Sequence, residues 1–496
     1  MIRNANFDVL EATIASVHAA MREGRLTARQ LVQAYLDRIA SYDQSGPCIN
    51  AIISINEQAL VEADVLDEAF ARSGPVGPLH GIPLLFKDQG DVLGQPTTMG
   101  SVLFRNHMPG RDAFVVAKLR RAGAIFLGKT TLGELGAGDT HGSLFGSTRN
   151  VFDLQRTAGG SSGGSGAAVS ANFCTVAIGQ EGFSSIRRPS AWNGVAGIRP
   201  TAGLVSRTGV YAGWPTINGS LGPMARSVAD LAVVLDSMVG YDASAPVTAL
   251  GAHRIADSYS GSLDKNALQG KRLGILREPC GYASEPESED FAKVDEVFGR
   301  AVEELRQAGA DIVDPVVIPD LVSLLATRSK SEDEDEQAFA FYVSGSAAPP
   351  FLTRRDAMSS ELFAKTSRGA QERWKVVPTR ERHYEYLKAR DLLMMRLHEV
   401  MATHRLDAIV HKAVEHQPTL IEEGLTPPFR DQTGALHINT FLVFVPSVVV
   451  PCGFTRDGLP TGITFLGRPY DDAAMLRYAY AYEQATQHRK PPPSTP

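Results

Sequence analysis

The stretch that decides the fold is GGSSGGSGAAVS at residues 159–170, followed shortly by GQEGFSSIRRP at residues 179–189. Glycines at this density let the backbone adopt positive φ and approach a ligand or a neighbouring strand closely. Serines on such a backbone can present a hydroxyl and several N–H groups to one point. Acyl transfer needs this combination of a nucleophile and donors aimed at a developing oxyanion. The stretch therefore indicates a serine-based hydrolase.

The composition excludes several classes of protein. The chain has 496 residues, of which 43% are hydrophobic and 21% are charged, as in ordinary globular enzymes. A net charge of −6 argues against a nucleic-acid partner, which would favour a basic face. The N-terminal segment carries no signal-peptide pattern, and the longest apolar runs are too short to span a bilayer. We therefore expect a cytoplasmic protein that has no membrane partner.

The cysteines predict neither structural zinc nor a disulfide framework. They lie far apart and form no CxxC pair. The four positions are Cys48, Cys174, Cys280 and Cys452. No metal site is expected.

The first half of the chain has the pattern of an α/β fold. Between about residues 77 and 240, short apolar segments such as GIPLLFKD (81–88) and CTVAIGQEG (174–182) alternate with glycine-rich turns and helical patches. This alternation predicts a mixed or largely parallel sheet. Residues 9–39 predict two helices, and Thr27 with Gln30 forms a capping-box pattern at the start of the second.

The second half contains a region of different character. Residues 318–435 are more polar and are predicted to form a variable insertion or lid over the core. The acidic run Glu332 to Glu336 inside this region is typical of a solvated helix face. Strand-like sequence returns at LDAIVHKAV (406–414) and FLVFVPSVVVP (441–451).

Two short motifs are tested against their context and rejected. GAIFLGKT at residues 123–130 fits the phosphate-loop pattern, but its middle residues form an apolar run and a helical segment precedes it, so a helix–turn–strand unit is predicted. GGSSG at residues 159–163 fits the nucleophile elbow, but no strand precedes it. His411 and His437 lie downstream, and nothing in the sequence selects either as a triad partner.

Lys87 is the third candidate for chemistry, because it ends the apolar segment GIPLLFKD. Burial disfavours the charged form of a lysine and lowers its pKa, and a neutral lysine can act as a general base. For a single buried lysine the alternative is a structural salt bridge, here with the adjacent Asp88.

Together these pieces resemble the amidase signature family, whose catalytic unit is Ser–cis-Ser–Lys. GIPLLFKD resembles its lysine motif, residues 145–170 its glycine/serine signature, and residues 459–486 its C-terminal segment. The resemblance covers about residues 10–240 and 405–490. It implies one large α/β/α domain over residues 1–496, a twisted mixed sheet with helices on both faces, and no cofactor.

The resemblance also implies the catalytic roles. Lys87 is expected to be the base, Ser161 the cis-serine relay and Ser185 the nucleophile. Ser185 lies 24 positions after Ser161, which matches the family's spacing. Ser162 is expected to support this network by hydrogen bonding, and Arg187 to anchor the loop. Backbone N–H groups are expected to form the oxyanion hole at Gly182, Phe183, Ser184 and Ser185.

The loop before the nucleophile departs from the family's pattern. Where the family usually reads G-T-D-[TI]-G-G-S-I-R, residues 179–187 read GQEGFSSIR, so Phe183 and Ser184 replace two glycines. Positive φ is costly for phenylalanine, so either the loop conformation differs or these residues have negative φ. Glu181 in place of aspartate also changes the reach of that carboxylate.

Phe183 suggests a substrate preference. A benzyl group beside the nucleophile would narrow a pocket or stack on an aryl group. Three more aromatic residues are either further pocket walls or core residues: Trp192, Tyr211 and Trp214. The expected reaction is hydrolysis of a carbon–nitrogen bond in a small amide, anilide, carbamate or urea.

Two alternatives stay open from the sequence. One is an amidotransferase A-type subunit that acts with a partner subunit. The other is a catalytically inactive relative that binds a ligand. Because many members of the family are dimers, a homodimer is one expected assembly.

Overall fold

A mixed β-sheet runs through the centre of the computed structural model, which describes residues 7–211 and 218–496. The strands are β1 (Ile52–Ile55), β2 (Pro83–Lys87), β3 (Ile125–Thr130), β4 (His141–Gly142), β5 (Gly146–Ser147), β6 (Val176–Glu181), β7 (Ala196–Arg199), β8 (Ser220–Ala225), β9 (Arg272–Leu276), β10 (Asp311–Val316), β11 (Ala408–Lys412), β12 (Ser447–Phe454) and β13 (Pro460–Leu466). Within the described ranges, eleven of them form the sheet, and β4 with β5 forms a small separate ladder.

The α-helices pack around this sheet and around one another. They are α1 (Ile14–Arg22), α2 (Ala28–Tyr42), α3 (Ala59–Ser73), α4 (Phe114–Arg121), α5 (Gly163–Ser170), α6 (Arg187–Trp192), α7 (Val228–Met238), α8 (Glu289–Gln307), α9 (Leu321–Ala326), α10 (Glu332–Val343), α11 (Arg354–Ser359), α12 (Arg368–Lys375), α13 (Arg380–Thr403), α14 (Ile421–Leu425) and α15 (Asp472–Thr486). Among these residues, no helix is long and apolar enough to cross a membrane.

The strand order is β1-β3-β2-β6-β8-β7-β12-β13-β11-β9-β10. β2 pairs in parallel with both β3 and β6, and β9 pairs in parallel with both β10 and β11. The other neighbouring strands are antiparallel. This arrangement confirms the predicted single α/β/α domain with a mixed sheet. The parallel group matters for function, because the carboxyl ends of β2 and β6 lie together at one edge of the sheet.

Local sequence signals agree with the elements that form. The Thr27 side chain accepts a hydrogen bond from the Gln30 backbone, and the Gln30 side chain accepts one from the Thr27 backbone, so the capping box at α2 is confirmed. The segment that resembled a phosphate loop is the turn from α4 into β3, and all residues of β3 are buried. The rejection of that motif is therefore also confirmed.

The glycine/serine stretch forms a tight turn followed by α5, and every residue of this helix is buried. Gly159 has φ of +79°, and a Cβ atom there would lie 2.9 Å from the Trp192 ring. A Cβ atom on Gly164 would lie 2.3 Å from Thr131 Oγ1. Glycine is therefore required at both positions, because only an unsubstituted backbone can pack this closely against its neighbours.

Helices α9 to α14 fall within residues 318–435, the region predicted to be an insertion or lid. The same interval also contains β11, which lies inside the main sheet between β13 and β9. The acidic run begins α10, where acidic groups complement the helix dipole. It is not simply a solvated face, because Asp335 and Glu336 each lie 3.4 Å from the nearly buried Arg354 guanidinium.

Candidate active site

Lys87 ends β2 and is fully buried. Its Nζ lies 2.7 Å from Ser161 Oγ and donates a 3.4 Å hydrogen bond to the carbonyl oxygen of Gln180. The salt bridge with Asp88 that the sequence left open does not form. Asp88 pairs instead with Lys129, at 3.1 Å.

The surroundings of Lys87 favour the neutral amine. Burial lowers the pKa of Lys87 well below its usual value, and the positive charge of Arg373 lowers it further. The carboxylate of Glu181 opposes this shift only in part. A neutral lysine at this position can accept a proton from a neighbouring hydroxyl.

Ser161 connects this lysine to the second serine. The Gly160–Ser161 peptide bond is cis. Ser161 Oγ lies 3.0 Å from Ser185 Oγ, so the three side chains form one hydrogen-bonded chain. Arg188 fixes the turn by donating from Nη2 to the Gly160 carbonyl oxygen at 2.8 Å.

Exposure rises along the same chain of side chains. Lys87 is 0% exposed, Ser161 is 2% exposed and Ser185 is 9% exposed. The lysine is therefore shielded from water, while the last hydroxyl faces accessible space. This gradient suits a proton acceptor at the inner end and a reacting oxygen at the outer end.

Ser185 lies on the loop between β6 and α6, and Glu181 holds this loop. Its Oε2 accepts hydrogen bonds from the backbone N–H groups of Ile186 at 2.8 Å and Arg187 at 2.9 Å. Its Oε1 accepts one from Arg187 Nε at 2.7 Å, in an ion pair that is fully buried. Arg187 Nη2 also donates to the carbonyl oxygen of Phe183, at 3.2 Å. These contacts fix the loop on both sides of Ser185.

The loop leaves its own N–H groups available. Among the described residues, none accepts a hydrogen bond from the backbone N–H groups of the loop at Gly182, Phe183, Ser184 and Ser185. Neither Phe183 nor Ser184, which replace two glycines of the family's pattern, has positive φ. The backbone therefore accommodates a phenylalanine here without left-handed strain.

Ser162 bonds to the backbone beneath the site rather than to the reacting side chains. Its hydroxyl donates to the Gln180 carbonyl oxygen and accepts from the Gln180 N–H, both at 3.3 Å. Its own backbone N–H donates to the Ser185 carbonyl oxygen at 3.1 Å. Ser162 thus joins the glycine/serine turn to the end of β6 and to the loop that carries Ser185.

Comparison with known proteins agrees with this geometry. The sequence profile of the family described as Amidase matches residues 30–476. The chain belongs to the amidase signature family.

Relatives within the amidase signature family span the whole chain. The A-type subunit of glutamyl-tRNA(Gln) amidotransferase from Methanosarcina barkeri is 31% identical, over 97% of this chain and 98% of its own length. The crystal structure of a peptide amidase from Stenotrophomonas maltophilia has a TM-score of 0.84 at 34% identity, covering 97% of this chain and 98% of the amidase. The A-type subunit of the Thermotoga maritima amidotransferase has a TM-score of 0.72 at 26% identity, covering 97% and 96%.

Phe183 lies in an aromatic cluster above the loop that carries Ser185. Its ring stacks on His437 with the centroids 4.7 Å apart, and it meets Tyr282 edge-on at 5.9 Å. The Arg328 guanidinium lies over the Phe183 ring, 4.6 Å from its centroid. Sequence analysis singled out Phe183 and missed Tyr282 and Arg328, because no local pattern connects positions so far apart in the chain.

The other aromatic candidates differ in position. Trp192 is fully buried, its indole N–H donates to the His416 carbonyl oxygen at 2.9 Å, and its ring packs beneath Gly159. It is a core residue here and presents no surface to a substrate, so its assignment to a pocket wall is wrong. Tyr211 is 4% exposed, and its ring packs against those of Phe339 and Tyr342. Trp214 lies outside the described residues.

The two histidines that an elbow-type triad could use make other contacts. His437 stacks on Phe183, and His411 Nδ1 contacts the Lys412 carbonyl oxygen at 2.6 Å. Burial lowers the pKa of both histidines to about 3. Within the described ranges, neither histidine hydrogen-bonds to Ser161 or Ser185, which agrees with the rejection of the elbow motif.

Proposed function

We propose that this member of the amidase signature family hydrolyses the carbon–nitrogen bond of a small amide through Lys87, Ser161 and Ser185. The observation that carries the proposal is the continuous chain from Lys87 Nζ to Ser161 Oγ at 2.7 Å and on to Ser185 Oγ at 3.0 Å. Hydroxyl hydrogens rotate freely enough for this chain to conduct a proton inward. The shielded lysine supplies the acceptor at its end.

In the first half of the reaction, Ser185 Oγ attacks the carbonyl carbon of the substrate. The proton of Ser185 passes to Ser161 Oγ, while the Ser161 proton passes to neutral Lys87, which becomes an ammonium. The proton then returns through Ser161 to the substrate nitrogen, and the carbon–nitrogen bond breaks. The amine or ammonia departs and leaves an ester on Ser185.

In the second half, water attacks the ester carbonyl. The water proton enters the same relay and then returns to Ser185 Oγ as the ester bond breaks. The acid product is released and the three side chains recover their starting protonation. No group outside this chain has to carry a proton.

The loop that carries Ser185 is proposed to stabilise the oxyanion in both halves. Its unpaired backbone N–H groups, between Gly182 and Ser185, supply the donors, and a preorganised donor of this kind is typically worth about 2.7–4 kcal/mol. Glu181 and Arg187 act on the reaction indirectly, by positioning the loop. Their ion pair and the hydrogen bonds around it support this role.

The proposed substrates are small amides, anilides, carbamates or ureas rather than internal peptide bonds. The aromatic cluster of Phe183 and Tyr282 beside the nucleophile supports an acyl or amine part that has an apolar face. Similarity to the Stenotrophomonas peptide amidase supports an enzyme of this general activity.

A second candidate function is that of an amidotransferase A-type subunit, which would work with a partner subunit. The 31% identity to the Methanosarcina barkeri protein over nearly the whole chain supports it. The higher TM-score with the peptide amidase than with the Thermotoga maritima protein, 0.84 against 0.72, favours an amidase that acts alone. Ammonia release from glutamine that requires an added partner subunit would support the second candidate instead.

The decisive experiment compares the wild type with Ser185→Ala on a panel of aliphatic amides, anilides, aryl carbamates and arylureas. A serine-directed fluorophosphonate probe is applied to both proteins in parallel. We expect turnover and labelling in the wild type and the loss of both in the variant, while circular dichroism stays unchanged. Ser184→Ala is the matched control, since it removes the adjacent hydroxyl. Turnover that survives in Ser185→Ala would exclude Ser185 as the nucleophile.

A further inference from the structure

Arg328 stands out among the cations around the site. It follows α9 by two residues, and its guanidinium lies over two aromatic rings, 4.6 Å from the centroid of Phe183 and 5.7 Å from that of Tyr282. Phe183 is two residues before Ser185 on the same loop. The ring faces attract the cation electrostatically and hold it against the loop that carries the proposed nucleophile.

Arg328 differs from Arg187 and Arg188 in having no carboxylate partner among the described residues. Arg187 pairs with Glu181 at 2.7 Å, and Arg188 pairs with Asp139 at 2.8 Å. In residues 7–211 and 218–496, no carboxylate lies within ion-pair distance of the Arg328 guanidinium, and no oxygen accepts a hydrogen bond from it. Arg328 is only partly buried.

Further positive charge lies close to Arg328. Burial lowers the pKa of Arg328, and Arg373 lowers it as well. Burial together with Arg373 and Arg328 lowers the pKa of Lys330 to about 7, although Asp335 lies 3.4 Å from Lys330. The positive charge of Arg373 also reaches Lys87. Positive charge grouped in this way attracts anionic ligands, and a bound anion would relieve the repulsion among these cations.

We infer that Arg328 binds a carboxylate carried by the substrate, so that the preferred substrates are amides with a second, anionic group a few carbon atoms from the scissile carbonyl. A guanidinium presents a planar fork of N–H donors that matches a carboxylate. Stacking on Phe183 and Tyr282 orients this fork before the substrate arrives. The inference rests on the proposed function and makes Arg328 a specificity residue for that reaction.

The test uses matched substrate pairs and ammonia release. Succinamate, glutaramate and adipamate are compared with the neutral linear amides that have the same number of carbons: butyramide, pentanamide and hexanamide. For at least one pair, the wild type is expected to favour the carboxylated amide by roughly 10- to 100-fold in kcat/KM. Arg328→Gln should remove this preference mainly through KM, and Arg328→Lys should keep part of it.

Three results distinguish carboxylate binding by Arg328 from structural support of Phe183. Arg328→Gln should leave kcat for the neutral amides within about threefold, whereas a residue that merely supports Phe183 would lower kcat for both members of a pair. The control Arg355→Gln makes the same chemical change at a side chain that is 80% exposed, and it should leave the preference intact. Preferred hydrolysis of the neutral member in every pair, or a preference that survives in Arg328→Gln, overturns the inference.

Amide hydrolysis and the labelling of Ser185 distinguish an incorrect role for Arg328 from an incorrect proposed function. If the neutral amides are hydrolysed and Ser185 is labelled by the fluorophosphonate, the proposed function holds, and only the role of Arg328 is in question. Glutarate should then slow the labelling of Ser185 in the wild type and not in Arg328→Gln. If no amide is hydrolysed and Ser185 is not labelled, the proposed function fails, and this inference fails with it.

Discussion

Lys87 and Lys129 lie on the adjacent strands β2 and β3, and both side chains are completely buried. Lys129 is surrounded by acceptors: Nζ lies 3.1 Å from Asp88 Oδ1, 3.3 Å from the Pro96 carbonyl oxygen and 3.3 Å from Thr97 Oγ1. Among the residues that the structure describes, Lys87 meets one serine hydroxyl and one carbonyl oxygen, and no carboxylate pairs with it. Two equally buried lysines on adjacent strands therefore have different surroundings. Those of Lys129 on β3 suit a structural ion pair, and those of Lys87 on β2 suit a reactive amine.

The arginines repeat this contrast. Arg187 is fully buried against the Glu181 carboxylate, whereas Arg328 lies on aromatic rings and has no ion-pair partner among the described residues. In both pairs, the residue with a carboxylate partner holds the structure together, and the residue without one is proposed to act on the substrate.

The largest expected effect comes from replacing Lys87, the lysine of this comparison that no carboxylate among the described residues contacts. Lys87→Met keeps the volume of the side chain and removes the proton acceptor. We expect kcat/KM to fall by roughly 10³-fold or more on any amide that the wild type hydrolyses, with no loss of folded structure. Steady-state kinetics and circular dichroism check both parts. A variant with near wild-type kinetics would contradict the assignment of Lys87 as the base.

The second effect concerns the paired lysine. Lys129→Met leaves the buried Asp88 carboxylate without its cation, and breaking a buried pair in this way typically costs about 3–5 kcal/mol. Urea unfolding should therefore show a much lower free energy of unfolding for Lys129→Met than for Lys87→Met. Adding Asp88→Asn to Lys129→Met should recover part of the loss. Equal stability of the two single variants would remove the distinction between the lysines.

The smallest effect is a dependence of stability on pH. The pKa of Lys87 in the folded protein is below its unfolded value, so unfolding takes up a proton between these two pKa values. The wild type should therefore lose stability relative to Lys87→Met as pH falls below about 10, by up to about 1.4 kcal/mol per pH unit. Urea unfolding of both proteins at pH 9.5 and pH 7 measures this difference, which should be larger at pH 7. A difference independent of pH would indicate that Lys87 remains charged in the fold.

Much of the fold could be predicted because its signals are local. The apolar segment ending at Lys87 became β2, and Thr27 with Gln30 capped α2. The residues of the proposed relay could also be named, since long motifs in the right order carry them. Their assembly into a hydrogen-bonded chain required the structure, because Lys87 and Ser161 are 74 residues apart.

The features that the sequence could not predict depend on contacts between residues that are far apart in the chain. Whether Phe183 needs positive φ follows from the way Glu181 and Arg187 hold its loop. The burial of Trp192 follows from its packing beneath Gly159, a contact that no periodicity encodes. Arg328 lay in a polar region without a motif, and its lack of a carboxylate partner becomes apparent only when its spatial neighbours are known.

The small residues of α5 have a consequence for the order in which this molecule folds. GGSGAAVS contains three glycines, and each lowers intrinsic helix stability by about 1 kcal/mol relative to alanine, so the segment has little tendency to be helical alone. Its Ser165 hydroxyl contacts Thr130 Oγ1 on β3 at 2.8 Å and donates to the Ile178 carbonyl oxygen on β6 at 3.3 Å. We therefore expect α5 to form only once these strands are in place. The turn at Ser161, which leads directly into α5, should be fixed at the same stage.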